Sequence, residues 1–163
     1  MSESLSLNVN GTATTVPSSC AGESLLWVLR EILELRSAKG ACEEGECGSC
    51  TVLVDQRPVC SCLTMTGVLG DTEVVTLEGL EDDPMTSAVQ RALVATGGVQ
   101  CGFCTPGFVV AIRSLIDETE ALTASAVREA LSGNLCRCTG YGRILEAVAL
   151  AAREYHGAEL EPR

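Results

Sequence analysis

Ten cysteines stand in a chain of 163 residues that holds one histidine and five aromatic side chains. Nine of them are closely grouped: Cys42, Cys47 and Cys50 in KGACEEGECGSC, Cys60 and Cys62 in VCSCL, Cys101 and Cys104 in VQCGFC, and Cys136 and Cys138 in NLCRC. Thiols at such spacings can close disulfides or, as thiolates, hold metal. The compartment decides between these. The chain opens MSESLSLNVNG, with no basic stretch ahead of an apolar run and no small-residue cleavage site, so the expectation is a cytoplasmic, reducing setting. Clustered cysteines there more often bind metal than pair covalently.

The first set reads C-x4-C-x2-C across Cys42, Cys47 and Cys50, the plant-type ferredoxin spacing for a 2Fe-2S cluster. Gly40, Gly45 and Gly48 suit a loop whose backbone must approach an inorganic core closely. The amide N–H groups exposed by such a loop can hydrogen-bond to sulfur and stabilise negative charge. Cys60 and Cys62 compete for the fourth place, because two residues apart on a strand they face the same side. A four-cysteine zinc site usually shows two tight pairs, which three cysteines on one loop fit poorly. The second set, Cys101-x2-Cys104 and Cys136-x-Cys138, does have two pairs, so on spacing alone zinc and iron-sulfur both stay open. Each pair stands where a helix is expected to begin, and helix N-termini favour anions.

Two kinds of element must position these sets. Leu5, Leu7 and Val9 alternate with polar residues up to Asn10-Gly11, which predicts a hairpin returning through 12–16. A helix is expected over 23 to about 36, with Gly40 as a stop and Trp27 in its core face. Strands are expected at 51–54 and 60–63 around a turn at 55–58, and at 72–77. The stretch Glu81-Asp82-Asp83-Pro84 reads as a linker. After it come four helical segments: 85–96 before Gly97-Gly98, a helix opened by Thr105-Pro106 and running through Leu115 and Ile116, a third from Thr123 to about 131, and a fourth from 144 to about 155.

Several function classes drop out. The longest apolar runs, such as 108–112 and 147–152, are too short for a membrane span. A net charge of −11 from 11 basic and 22 acidic residues, with no basic cluster, argues against nucleic acid. No phosphate-binding glycine loop or nucleophile elbow is present. Cys20 reads as a small packing residue and His156 as solvent-facing.

In this order, ACEEGECGSCTVLVD, VCSCL, VQCGFCTPG and GNLCRCTGY resemble the iron-sulfur subunit of the molybdenum hydroxylases, the family of xanthine dehydrogenase and aldehyde oxidoreductase. The resemblance runs from about residue 4 to about 153. It implies an α+β chain: an N-terminal β-grasp, plant-type ferredoxin-like domain over 1–80, then a C-terminal four-helix bundle domain over 85–160, each with one 2Fe-2S cluster. Carried over residue by residue, Cys42, Cys47, Cys50 and Cys62 become ligands of the distal cluster, nearer the flavin, and Cys60 takes a position often held by asparagine. Cys101, Cys104, Cys136 and Cys138 become ligands of the proximal cluster, nearer the molybdopterin, which Gln100 and Cys138 approach. Asp55-Gln56 departs from the family's usual Asp-Gly turn.

The implied activity is electron transfer within an oxidoreductase. A large molybdopterin-binding partner hydroxylates a substrate carbon with oxygen from water, and single electrons pass through both clusters to FAD on a medium partner. That heterotrimer leaves room for dimerisation of the complex. The region 20–30 and the V-C-S-C-L step look closest to purine-oxidising relatives, which points to xanthine or hypoxanthine. Aldehyde, carbon monoxide and N-heterocycle dehydrogenases are the alternatives within the family, and a free-standing ferredoxin-like carrier is the alternative outside it.

Overall fold

The computed structural model describes residues 4–118 and 122–157, so the ends of the two expected domain spans, 1–3 and 158–160, lie outside the described residues. The alternating apolar residues form β1 (Ser4–Val9), which pairs antiparallel with β2 (Thr12–Pro17). Between them Asn10 and Gly11 both take left-handed φ, 53° and 72°, as a type I′ hairpin requires. With β3 (Thr51–Val54), β4 (Arg57–Cys60) and β5 (Glu73–Val75) they make a mixed sheet of order β2-β1-β5-β3-β4. β1 and β5 run parallel and the other neighbours antiparallel.

Three expectations shift. The turn before β4 needs only Asp55 and Gln56, both left-handed at φ 46° and 64°, so the strand starts at Arg57 and takes in Pro58. That is tolerated because β4 is an edge strand. Cys60, opposite Thr51, is then the last residue of β4 and Cys62 lies in the turn beyond, so the two do not share a strand face. The β-rich run at 72–77 yields only Glu73–Val75, because a 3-10 turn, Leu77–Leu80, takes over. Finally, α1 (Leu25–Trp27) is capped by the Ser24 hydroxyl accepting from Trp27 N–H, widens into a π-type turn over Val28–Ile32, and ends at Leu33. Glu34 follows in the left-handed region, so the helix stops short of residue 36. Its buried side carries Leu25, Leu26, Val28 and Leu29, whereas Trp27, expected in the core, is 41% exposed.

Both faces of the sheet are covered. Successive strand residues point to opposite sides, so Val52 and Val74 pack with Leu25, Leu26 and Leu29 of α1. Leu53 and Val75 point the other way and pack with Leu80 and with Val110 from the C-terminal half. That half holds α2 (Pro84–Thr96), α3 (Thr105–Glu118), α4 (Ala124–Ala130) and α5 (Gly142–His156). Met85, Val89, Phe108, Ile112, Val127, Ile144 and Val148 form its own buried core. α3 therefore belongs to two cores at once, with Phe108 and Ile112 facing the helices and Val110 facing the sheet.

The expected linker is in part a helix cap. Asp83 precedes α2, with Pro84 as its first residue, and its carboxylate accepts from the Thr86 N–H and hydroxyl, both at 2.7 Å. Arg113 of α3 lies 3.5 Å away through Nε, an ion pair without a proper hydrogen bond, since that buried Nε has no hydrogen-bond partner. Its Nη1 donates to Asp117. His156, expected in solvent, is half-buried, with Nε2 2.9 Å from the Ile116 carbonyl, to which it must donate. Among the described residues no helix is long and apolar enough to cross a membrane.

Burial pushes the Asp83 pKa up, but the Thr86 donors and Arg113 outweigh it and hold the carboxyl below its ordinary value. A depressed carboxyl stabilises the fold above its unfolded pKa of about 3.9, and that contribution is lost as pH falls through the folded value. Asp83→Ala should therefore cost about 1 kcal/mol near neutrality, as for other lost caps. In parallel denaturation series on wild type and variant, the gap between them should shrink below about pH 4.

Candidate metal centres

The first set sits on the loop from Ala38 to Cys50, between α1 and β3. Its base is closed by Lys39 N–H donating to the Ser49 carbonyl at 2.9 Å. Arg30 donates to the carbonyls of Ala38 and Arg36 from outside. Glu78 fastens the approach to the loop by accepting from the Ser37 N–H and hydroxyl. Within the loop, Cys42 Sγ accepts from Glu44 N–H at 3.4 Å. That amide, with the Cys47 thiol and the Glu46 and Cys47 amides, draws the Cys42 thiol down to about 7. Residues 48–50 are buried, and the N–H groups of Gly48, Ser49 and Cys50 have no acceptor among the described residues. Buried amides almost always find one. A row of orphan donors beside a row of thiols is what a sulfide-bearing anion would satisfy.

Cys60 and Cys62 both interact with Cys50 but face opposite backbone polarity. The Cys60 thiol points at the Gly45 carbonyl, 3.7 Å away, and burial together with Cys50 pushes it up to about 11. The Cys62 sulfur faces the Gly45 amide, which opposes but does not overcome burial and Cys50, and the thiol rises to about 12. An N–H favours a thiolate and a carbonyl disfavours it.

In the second set Cys101 and Cys138 are exposed, with sulfurs 3.6 Å apart, and Cys104 and Cys136 are half-buried and interact with each other. Burial, then Cys136, pushes the Cys104 thiol up to about 12. Burial also raises Cys136, but the Thr139 hydroxyl, 3.1 Å from its sulfur, and the Thr139 and Cys138 amides lower it on balance. Tyr141 sits left-handed ahead of α5, and its hydroxyl accepts from Cys136 N–H at 3.0 Å. Cys104 stands immediately before α3 and its carbonyl accepts the Phe108 N–H. Gln100 is exposed and makes no hydrogen bond among the described residues, none of whose buried backbone groups it therefore serves. Cys20 is buried among the apolar residues of α1 and the sheet, in the same core that Cys50 enters.

The thiols associate closely: Cys42 with Cys47, Cys50 with both Cys60 and Cys62, Cys101 with Cys138, and Cys104 with Cys136. Among the described residues no three His, Cys, Asp or Glu close on a single-ion site. A tetrahedral zinc needs four donors about one point, whereas a two-iron cluster takes two thiolates at each iron. Thiols raised this far ionise only against a strong positive charge, which bound iron provides.

The two sets also touch. Leu135 N–H donates to the Cys47 carbonyl at 2.9 Å, and the buried Asn134 side chain donates to the Gly48 carbonyl at 3.1 Å. The fit is close enough that only glycine serves at two positions. A Cβ on Gly48, left-handed at φ 65°, would lie 2.5 Å from Asn134 Nδ2 and from the Gly133 carbonyl, and one on Gly107 would lie 2.2 Å from the Gly48 carbonyl. Neither Asn134 nor Leu135 stood out in the sequence, although both are part of the GNLCRC motif.

A ferredoxin-like sheet and a helical half, each presenting its own group of associated thiols, suit a carrier of two iron-sulfur clusters. The comparisons agree: residues 7–76 match the family described as 2Fe-2S iron-sulfur cluster binding domain, and residues 76–149 match the [2Fe-2S] binding domain. The nicotinate dehydrogenase small FeS subunit of Eubacterium barkeri is 41% identical over 90% of this chain and 93% of its own. The xanthine dehydrogenase iron-sulfur-binding subunit of Escherichia coli O157:H7 is 40% identical over 91% and 96%. The crystal structure of quinoline 2-oxidoreductase from Pseudomonas putida 86 superposes with a TM-score of 0.84 at 37% identity, over 96% of this chain and 98% of that one. The chain belongs to the iron-sulfur small subunits of the molybdenum hydroxylases, and is a two-cluster subunit of an oxidoreductase complex.

Because Gly48 has no room for a side chain, Gly48→Ala should displace the first loop. Iron retained by the purified chain should fall from about four towards about two atoms, two per cluster, by colorimetric assay.

Proposed function

We propose that this chain carries single electrons from a molybdopterin site on a large partner subunit, through its second and then its first cluster, to FAD on a medium partner. The observation that carries this reading is the pairing of eight thiols into two sets whose loops are in direct hydrogen-bonded contact. When bound, a 2Fe-2S cluster supplies reversible one-electron transfer. The chain's own residues do the rest. Cys42, Cys47, Cys50 and Cys62 would hold one cluster, with Cys62 favoured over Cys60 because the Gly45 amide faces it while the Gly45 carbonyl faces Cys60. Cys101, Cys104, Cys136 and Cys138 would hold the other. Exposure of Cys101, Cys138, Gln100 and Phe103 leaves that end of the second set open to a molybdopterin-bearing partner.

The domain reading goes with it: a ferredoxin-like domain over 1–80 and a four-helix bundle domain over 85–160. The partner's substrate is read as a nitrogen heterocycle, with xanthine or hypoxanthine foremost. The relatives named for nicotinate and xanthine, and the structure named for quinoline, support that class. Assay of the native complex against purines, pyridines and aldehydes tests it. Turnover of aldehydes alone overturns it.

The chain purified without oxygen should hold about four irons and, once reduced, show two distinguishable paramagnetic 2Fe-2S signals. Stoichiometric zinc without visible absorption refutes the electron-transfer reading. In the assembled complex, Cys138→Ser should perturb one signal and slow flavin reduction by substrate at least tenfold in stopped-flow measurements, about 1.4 kcal/mol in barrier.

A further inference from the structure

The first cysteine loop is held from outside by the chain that leads into the second. Leu135 N–H anchors the Cys47 carbonyl. Asn134 Nδ2 anchors the Gly48 carbonyl, which also accepts from Thr51 N–H at 3.2 Å and the Thr51 hydroxyl at 2.7 Å. Asn134 is buried, two residues before Cys136, and comes from a different half of the sequence.

A trans peptide is planar, so its carbonyl and the N–H that follows point in opposite directions, and no peptide among the described residues is cis. Holding the Cys47 carbonyl towards Leu135 turns Gly48 N–H the other way. Holding the Gly48 carbonyl towards Asn134 and Thr51 does the same for Ser49 N–H. Both amides are buried and have no acceptor among the described residues. Hydrogen bonds to cluster sulfur are one of the protein's levers on cluster potential.

We propose that Asn134 is a positioning residue for the 2Fe-2S centre of the other half: by fixing the Gly48 peptide it aims the Ser49 amide at that centre, and so ties its potential to the loop that carries Cys136. The proposal rests on Cys42, Cys47, Cys50 and Cys62 being that centre's ligands. Asn134→Asp keeps the side chain's size but sets an acceptor against the Gly48 carbonyl. Asn134→Ala removes the contact.

The test is a potentiometric titration of the full, cluster-loaded chain followed by electron paramagnetic resonance, with the first-centre signal assigned by its loss in Cys42→Ser. Both Asn134 variants should shift the one-electron reduction equilibrium of that signal by about fivefold, the equivalent of one ordinary hydrogen bond, and the other signal by less than twofold. Thr51→Val, which removes the hydroxyl from the same carbonyl, should move the first signal too and serves where an Asn134 variant does not hold its clusters. Val127→Ala, a cavity in the helical core away from the loop, should lower thermal stability and leave both signals in place. The proposal is overturned if the Asn134 and Thr51 variants leave the first signal unmoved, or if Val127→Ala shifts it as far. A Cys42→Ser chain that keeps both signals overturns the ligand assignment and the proposal with it, an outcome separate from an unresponsive Asn134.

Discussion

Sulfur atoms packed against one another cannot all carry charge unless something opposes it, and most of this structure answers that constraint. Contact between thiols, added to burial, pushes Cys62 and Cys104 up to about 12. Where backbone amides and a neighbouring thiol gather on one sulfur, at Cys42, the protein alone brings a thiol down to about 7, and the Thr139 hydroxyl with nearby amides lowers Cys136. The remaining opposition must come from bound iron.

The fold secures those loops by tying each to a regular element that is packed elsewhere. β3 leaves the first loop at Thr51 and is buried on both faces, Val52 against α1 and Leu53 against Val110. α3 starts one residue after Cys104 and is shared between the helical core and the sheet. A shift of α3 would therefore move Cys104 and the backbone around Gly48 together, since Gly107 lies against the Gly48 carbonyl. The Asp83 contact to Arg113 adds a polar tie between the start of α2 and the middle of α3, at the side where the two cores meet.

Much of this was legible from residue types. The Asn-Gly hairpin, the helix over 85–96 and the two cysteine sets all follow from local chemistry: left-handed φ, a Gly-Gly stop, and thiols at fixed spacing. Errors arose where distant packing overrode periodicity. The 23–36 run has helical spacing throughout, yet only the part facing the sheet stays wound, and Glu34 breaks it in the left-handed region. Trp27 has the composition of a core residue but falls on the outer side of α1. Strand alternation could not separate Cys60 from Cys62, because the strand ends at Cys60. What distinguishes them is which end of the Gly45 peptide each one faces.

The sequence by itself determined the chemistry, since thiol count, spacing and the four motifs depend on neighbours only a few residues apart. It also determined that there are two sets of thiols. Only the tertiary structure decided that the sets are in contact, through Asn134 and Leu135 on the Gly48 and Cys47 carbonyls. Those partners are 86 and 88 residues apart, and the bonds are made to backbone atoms, which every residue carries alike. A backbone acceptor leaves no mark in residue type. Its pairing exists only once the sheet and α3 have brought the two loops together.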